Sequence, residues 1–272
     1  MLKRHFPSLF GNVFILALLA AASTARAIGG GAIFSAEHLP HSTLVAIEVV
    51  RDGRSAPCTG FLLNATTVVT AARCFGAFMA RPATSIALVR SRTPDTDRSF
   101  RIPVSPDQVL LHPAYVSRKG PLRDWAVIKL RQPFPGHESI HYSFLLEDTR
   151  ADHYGLYGYG SDETGRPGVL RKLFPQGKDL DPAAETADYF YFNHPPGVGL
   201  CAGDFGGPVL VAYNGRNYVV GASSPEIPDG AGVCPGRSRV AKIAPVAGWL
   251  RELMAAERLP DDAKAEGGGG KP

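Results

Sequence analysis

Four residues of this 272-residue chain carry thiol chemistry: Cys58, Cys74, Cys201 and Cys234. Their number is even, and the compartment argued below is oxidising, so disulfides are expected. Four cysteines allow three pairings, of which the local one, Cys58 with Cys74 and Cys201 with Cys234, is the simplest. No Cys-x-x-Cys occurs, which leaves zinc without a supporting spacing. Of the eight histidines, His5 belongs to the leader described below. His38, His41, His112, His137, His141, His153 and His194 stand in no metal-binding spacing, and surface or loop placement is expected for each. No metal and no cofactor is therefore expected. Basic residues are scattered without an aromatic-basic stripe, which argues against nucleic acid as a partner. Asn64-Ala65-Thr66 fits a glycosylation sequon, a three-residue match that is common by chance.

The elements that must position these groups are short. The first segment reads as an address. Lys3, Arg4 and His5 precede the apolar run Val13 to Ala22, which is too short to cross a bilayer comfortably, and Ala25-Arg26-Ala27 offers small residues to a signal peptidase. Lys3, Arg4 and Arg26 supply three of the four net positive charges, so the remaining body is nearly neutral and has no electrostatic pull toward nucleic acid or acidic membranes. From Leu44 onward, apolar and β-branched runs alternate with turn residues: Leu44 to Val50, Cys58 to Leu63 and Thr67 to Thr70, with Asp52-Gly53 as a tight hairpin turn. Pro208 to Tyr213 and Asn217 to Gly221 flank Asn214-Gly215, a second hairpin. Val246, Trp249, Leu250 and Leu253 recur at helical spacing, which predicts one terminal helix within Ala244 to Glu257. The body is thus all-β in class, a barrel or sandwich. Ser161 to Ala187 reads as a long surface loop, and Asp261 to Pro272 as a flexible tail.

Three ordered segments then carry a resemblance. Thr70-Ala71-Ala72-Arg73-Cys74 resembles the Thr-Ala-Ala-His-Cys segment of trypsin-like (chymotrypsin-fold) serine peptidases. Asp124 to Leu130 resembles the segment with that family's catalytic aspartate. Cys201 to Pro208 resembles the Gly-Asp-Ser-Gly-Gly-Pro segment with its nucleophile, and Tyr157-Gly158-Tyr159-Gly160 sits where the family usually has Gly-Trp-Gly. The local cysteine pairing and the terminal helix also fit, so the resemblance covers about residues 27 to 257. It implies two six-stranded antiparallel barrels with the site in the cleft between them. The corresponding division is a signal peptide at 1–27, an N-terminal barrel at 28–133, a C-terminal barrel with its helix at 134–258 and a tail at 259–272. The boundary is expected near Gln132 to Gly136.

The departures from the family pattern decide the chemistry. In the family, a serine oxygen attacks the scissile carbonyl, a histidine takes and returns the proton, and an aspartate holds the imidazole. Here the histidine position is Arg73, the serine position is Phe205, and only Asp124 survives. A guanidinium has no acceptor and a pKa above about 12, so it cannot take up a proton near neutral pH. A phenyl side chain has no heteroatom. Loss of nucleophile or base alone in a comparable triad costs on the order of a million-fold, and losing both adds little. The expected protein is an exported, periplasmic or extracellular pseudo-peptidase that binds a protein or peptide partner docking on the loops around the cleft. The enzymatic alternative is an active endopeptidase with a relocated nucleophile and base, drawn from His194 and Ser223-Ser224. A third possibility is a membrane-tethered accessory domain that keeps its leader.

The resemblance also assigns the remaining positions. The amides of Gly203 and Phe205 stand where the family forms its oxyanion hole. Gly199 and Leu200 lie at the base of the specificity pocket, with no carboxylate to receive Lys or Arg, and Phe205 is expected to fold into that pocket as a plug. Asp124 needs a new partner, and a bidentate Arg73–Asp124 pair is expected, with about 3–5 kcal/mol lost on Arg73→Ala if the pair is buried. Asp204 stands where the family binds the N-terminal ammonium. Cleavage after Ala27 would present Ile28, and cleavage after Arg26 would present Ala27, the second register aligning better with the family's Ile-Val-Gly-Gly.

Overall fold

The computed structural model describes residues 28–33, 43–76, 85–89, 101–115, 123–135, 143–144, 150–160, 168–214, 216–226 and 234–255. The leader at 1–27, the tail at 259–272 and His38, His41, His137 and His141 lie outside the described residues.

The first strand, β1 (Ala32–Ile33), pairs with the second sheet. The first sheet contains β2 (Leu44–Arg51), β3 (Arg54–Asn64), β4 (Thr67–Thr70), β5 (Ser85–Val89), β6 (Arg101–Val104), β7 (Val109–Leu111) and β8 (Ala126–Lys129), and a one-turn helix, α1 (Arg73–Gly76), follows β4. Its order is β6-β5-β2-β3-β4-β8-β7. The second sheet adds β9 (Ser143–Phe144), β10 (Gly155–Gly158), β11 (Arg171–Leu173), β12 (Tyr189–Asn193), β13 (Pro208–Tyr213), β14 (Arg216–Ser223) and β15 (Arg237–Lys242), in the order β1-β11-β10-β13-β14-β15-β12, with β9 parallel on β14. The two are curled, mostly antiparallel sheets of seven and eight strands. The second exceeds the expected six by the two-residue strands β1, at its edge, and β9, on β14; the first has one strand more than expected. Residues 28–33, counted with the N-terminal unit from sequence, pair with the second sheet.

The turns follow their residue chemistry. Asp52 and Gly53 both take positive φ, 48° and 73°, the conformation of a two-residue hairpin, and Asn214 does the same at 49°. Strand periodicity separates the cores. Leu44 and Ala46 of β2 enter a central cluster shared with Tyr157, Leu210, Val219 and Leu250 from the second half. Val45, Ile47 and Val49, on the opposite face of the same strand, enter a cluster confined to the first sheet. A third cluster, with Phe190, Phe192, Val209 and Val240, fills the second sheet. The halves are therefore joined by packed side chains, with a polar seam at one end.

Two local expectations change. Ser161–Ala187 was expected to be loop, yet β11 pairs with β10 and Leu170 is buried. The strand is three residues long and reads Arg-Lys-Leu, too short and charged to show a period. The terminal helix begins as a 3₁₀ turn at Ala244–Val246 and continues as α2 (Ala247–Ala255).

Candidate functional site

Arg73 opens α1 directly after β4, and Asp124 lies just before β8, β4's partner in the sheet. Adjacent strands therefore bring the two together from 51 residues apart. The Arg73 amide donates to Asp124 Oδ1 at 2.8 Å, and Nε donates to Oδ2 at 2.5 Å. The pair forms, but not as the expected guanidinium fork, because the backbone amide occupies the second oxygen. Asp124 is fully buried and the Arg73 side chain is one-fifth exposed. The remaining guanidinium nitrogens reach across to the second half: Nη1 donates to Pro225 O at 2.8 Å and Nη2 to Ser224 Oγ at 3.0 Å. The Ser224 hydroxyl donates to Asp124 Oδ2 at 2.7 Å. Desolvation of the carboxylate is thus met by a cation, an amide and a hydroxyl.

The turn at Gly203–Phe205 is held from the first sheet. Thr59 N donates to Phe205 O at 2.8 Å, and Thr59 Oγ1 donates to Gly203 O at 3.1 Å while accepting from Tyr159 N at 3.0 Å. Gly206, at φ 83°, passes so close to Thr70 and Thr59 that a Cβ would meet Thr70 Oγ1 at 2.2 Å. The Phe205 ring does not plug the pocket base at Leu200, as expected from sequence. It packs on the first-sheet cluster with Cys58, Cys74 and Phe75, and the Arg73 guanidinium carbon lies 5.2 Å from its centroid. The cation and the apolar disulfide wall give the ring favourable contacts on that side. Both disulfides adopt the local pairing, Cys58–Cys74 and Cys201–Cys234, and no described cysteine is free.

Asp204 points inward. Its Oδ2 accepts from the amides of Ile28 at 3.0 Å and Cys201 at 2.8 Å. Gly29 continues this docking by exchanging backbone hydrogen bonds with Gly199 at 2.9 and 3.0 Å. A Cβ on Gly29 would meet Gly197 O at 2.0 Å, so this approach requires glycine. Among the described residues it is Ile28 whose amide meets Asp204. Ile28 sits at φ 29°, an unfavourable value for a β-branched residue. Burial raises the Asp204 carboxyl to about 7, although the amides of Cys201, Ile28 and Gly160, and more distantly Arg171, pull it down.

The histidines divide. His153 is exposed. His112 is buried, contrary to expectation, with its ring edge-on to Trp249 at 4.9 Å and Nδ1 accepting from Ala114 N at 3.0 Å. His194 does not approach Ser223 or Ser224. Its Nε2 lies 3.0 Å from Ser238 Oγ, which also accepts from Leu200 N at 3.0 Å. Ser238 is fully buried beneath Gly199, which stands at φ 112° with no room for a Cβ. Burial lowers the His194 ring pKa.

Sequence reasoning missed Ser238 and Arg239, and named Ser224 only as a candidate nucleophile, not as the partner of Asp124 and Arg73. Arg239 Nε donates to Ser224 O at 2.7 Å, its Nη1 reaches Glu226, and its guanidinium carbon lies 4.7 Å from the Tyr189 centroid. No residue-type pattern marks these; Ser224 directly follows β14, which ends at Ser223, and Ser238 and Arg239 lie next to the start of β15 at Arg237. Among the described residues no group of His, Cys, Asp and Glu could hold a metal, and no helix is long and apolar enough to cross a membrane. Tyr115 and Tyr189, both near Asp124, are raised to about 12, chiefly by burial and then by that negative charge. They stay protonated and offer no base near neutral pH. The family model described as Trypsin matches residues 32–250, most of the sequence, and the chain belongs to the trypsin family.

Proposed function

We infer that this trypsin-family chain is exported and does not hydrolyse peptides, and that its cleft binds a protein or peptide ligand. One observation carries the reading. The position of the family's base holds a guanidinium already committed to Asp124, Ser224 and Pro225, and the position of its nucleophile holds a phenyl ring packed beside it. Neither has a lone pair to give at neutral pH. Ser224 does not substitute as nucleophile. It is fully buried, donates to Asp124 and accepts from Arg73. Ser238 is likewise buried, and its hydroxyl serves Leu200 and His194. Two disulfides and the resemblance of residues 1–27 to a cleaved leader support export. Ile28 at Asp204 supports a mature start after Ala27, which would make signal removal and N-terminal docking one event. The test is turnover of fluorescein-labelled casein by purified mature protein. The reading predicts no more release than from a heat-denatured control; turnover that is lost on Ser238→Ala or Ser224→Ala would support the enzymatic alternative instead.

A further inference from the structure

One buried imidazole takes no part in the substituted cleft. His112 directly follows β7, and three hydrogen bonds fix the chain around it. Its amide donates to Trp125 O at 2.9 Å, its carbonyl accepts from Tyr115 N at 2.9 Å, and its Nδ1 accepts from Ala114 N at 3.0 Å. The side chain thus closes the turn His112–Tyr115 from within, and does so only while Nδ1 keeps its lone pair. The same ring meets the terminal helix. Its centroid lies 4.9 Å from that of Trp249, in an edge-on contact at 71°. Trp249 packs on the central cluster that contains its neighbour Leu250. One imidazole therefore joins a first-sheet turn to α2.

The surroundings disfavour a second proton on that ring. Arg123, just before β8, acts on it as a cation and pairs across the halves with Asp188 at 3.6 Å. Asp124, next in sequence, is committed to Arg73 and Ser224. β7 carries no ionisable residue, and Arg251 and Glu252 of α2 are exposed. Burial first and Arg123 second lower the ring pKa, and Asp188 offsets part of this. Because Nδ1 accepts, the neutral ring carries its proton on Nε2. A second proton must go to Nδ1, where it would face the Ala114 N–H donor to donor. An undocked imidazole takes that proton near about 6.5, and the docked one only at lower pH. Docking is therefore complete above that value and weakens as pH falls below it.

From this arrangement we propose that His112 is an acid-sensitive latch: its protonation opens the His112–Tyr115 turn, frees the ring from Trp249 and loosens α2 on the first sheet. Further along the helix a separate tie persists, Lys129 Nζ donating to Leu253 O at 2.8 Å, so loosening begins at the turn that carries Trp249. The device is independent of what the cleft binds.

The experiment uses the mature, disulfide-bonded protein, labelled with ¹³C in the histidine rings and ¹⁵N throughout, in an NMR titration from about pH 8 to about pH 4.5. The His112 ring should titrate below the exposed His153, and the Trp249 indole resonance should move with the His112 midpoint. Hydrogen exchange at the Leu250 amide, corrected for its intrinsic pH dependence, should quicken at least about tenfold across that midpoint. His112→Asn, whose side-chain oxygen can accept from Ala114 N but takes up no proton, should abolish both changes. Arg123→Gln should raise the midpoint and Asp188→Asn should lower it, and this pair keeps the test decisive if the asparagine variant fails to fold. His153→Gln should change nothing. A His112 ring that titrates with His153 would overturn the proposal. So would a Trp249 resonance or Leu250 exchange that ignores the His112 midpoint, the same acid response in His112→Asn, or a midpoint unmoved in both charge variants. None of these outcomes bears on casein turnover, so the reading of the cleft stands or falls separately.

Discussion

Arg73 ties a buried carboxylate of one half to the backbone and a hydroxyl of the other. Its amide and side chain both serve Asp124, while its far nitrogens bind Ser224 and Pro225 in the other half. Arg73→Ala would keep the amide and the Ser224 hydroxyl on Asp124 but remove the only cation on a fully buried carboxylate. The expected loss is about 3 kcal/mol, at the lower end for a broken buried pair, and chemical denaturation with an unchanged m-value would measure it. Asp204 makes a second prediction. With Ile28 uncharged, its carboxyl is raised to about 7 by burial, so the folded chain holds a proton that the unfolded chain releases near 4. Stability must then fall as pH rises through that window, by roughly 4 kcal/mol at most. An ammonium at Ile28 removes the penalty until it deprotonates above about 8. Thermal melts from pH 4 to 8 should therefore show a decline for a chain whose Ile28 is N-acetylated, and no such decline for one whose Ile28 is free. Parallel curves would contradict the register.

At the scale of elements, β3 is the part that holds the site together. Thr59 spends its amide, hydroxyl and carbonyl on Phe205, Gly203, Tyr159 and Thr70. Thr59→Val preserves shape and β-propensity but strands the Tyr159 N–H and the Gly203 carbonyl in the interior. It should cost about 1–3 kcal/mol, and amide exchange should speed up first at Tyr159. This element also shows how far the sequence could be read. The hairpins at Asp52-Gly53 and Asn214, the strands around them and the local disulfides were legible, because positive φ and period-two burial leave marks in residue type. β11 was not, since three charged or short residues carry no period. The position of the Phe205 ring was not legible either. It is set by packing across the seam, which residue type does not record. The structural roles of Ser224 and Ser238 were hidden for the same reason: a serine reads alike whether it faces water or completes a buried network.

For the whole molecule, the two sheets share a central cluster that runs from Leu44 to Leu250, so the site is a polar seam on an apolar joint. Such a joint holds the halves in register without help from catalysis, and Asp124, Ser224 and the Gly203–Phe205 turn remain in place around the substituted positions. We propose that the absence of two functional groups, not a disordered site, silences hydrolysis. The most direct measurement is labelling by a fluorophosphonate probe, with the modified residue mapped by mass spectrometry, on the mature protein and on the Arg73→His/Phe205→Ser double variant. The account predicts no labelled residue in the parent protein and in either single variant, and labelling at position 205 in the double variant. A labelled serine in the parent protein, above the denatured control, would contradict it.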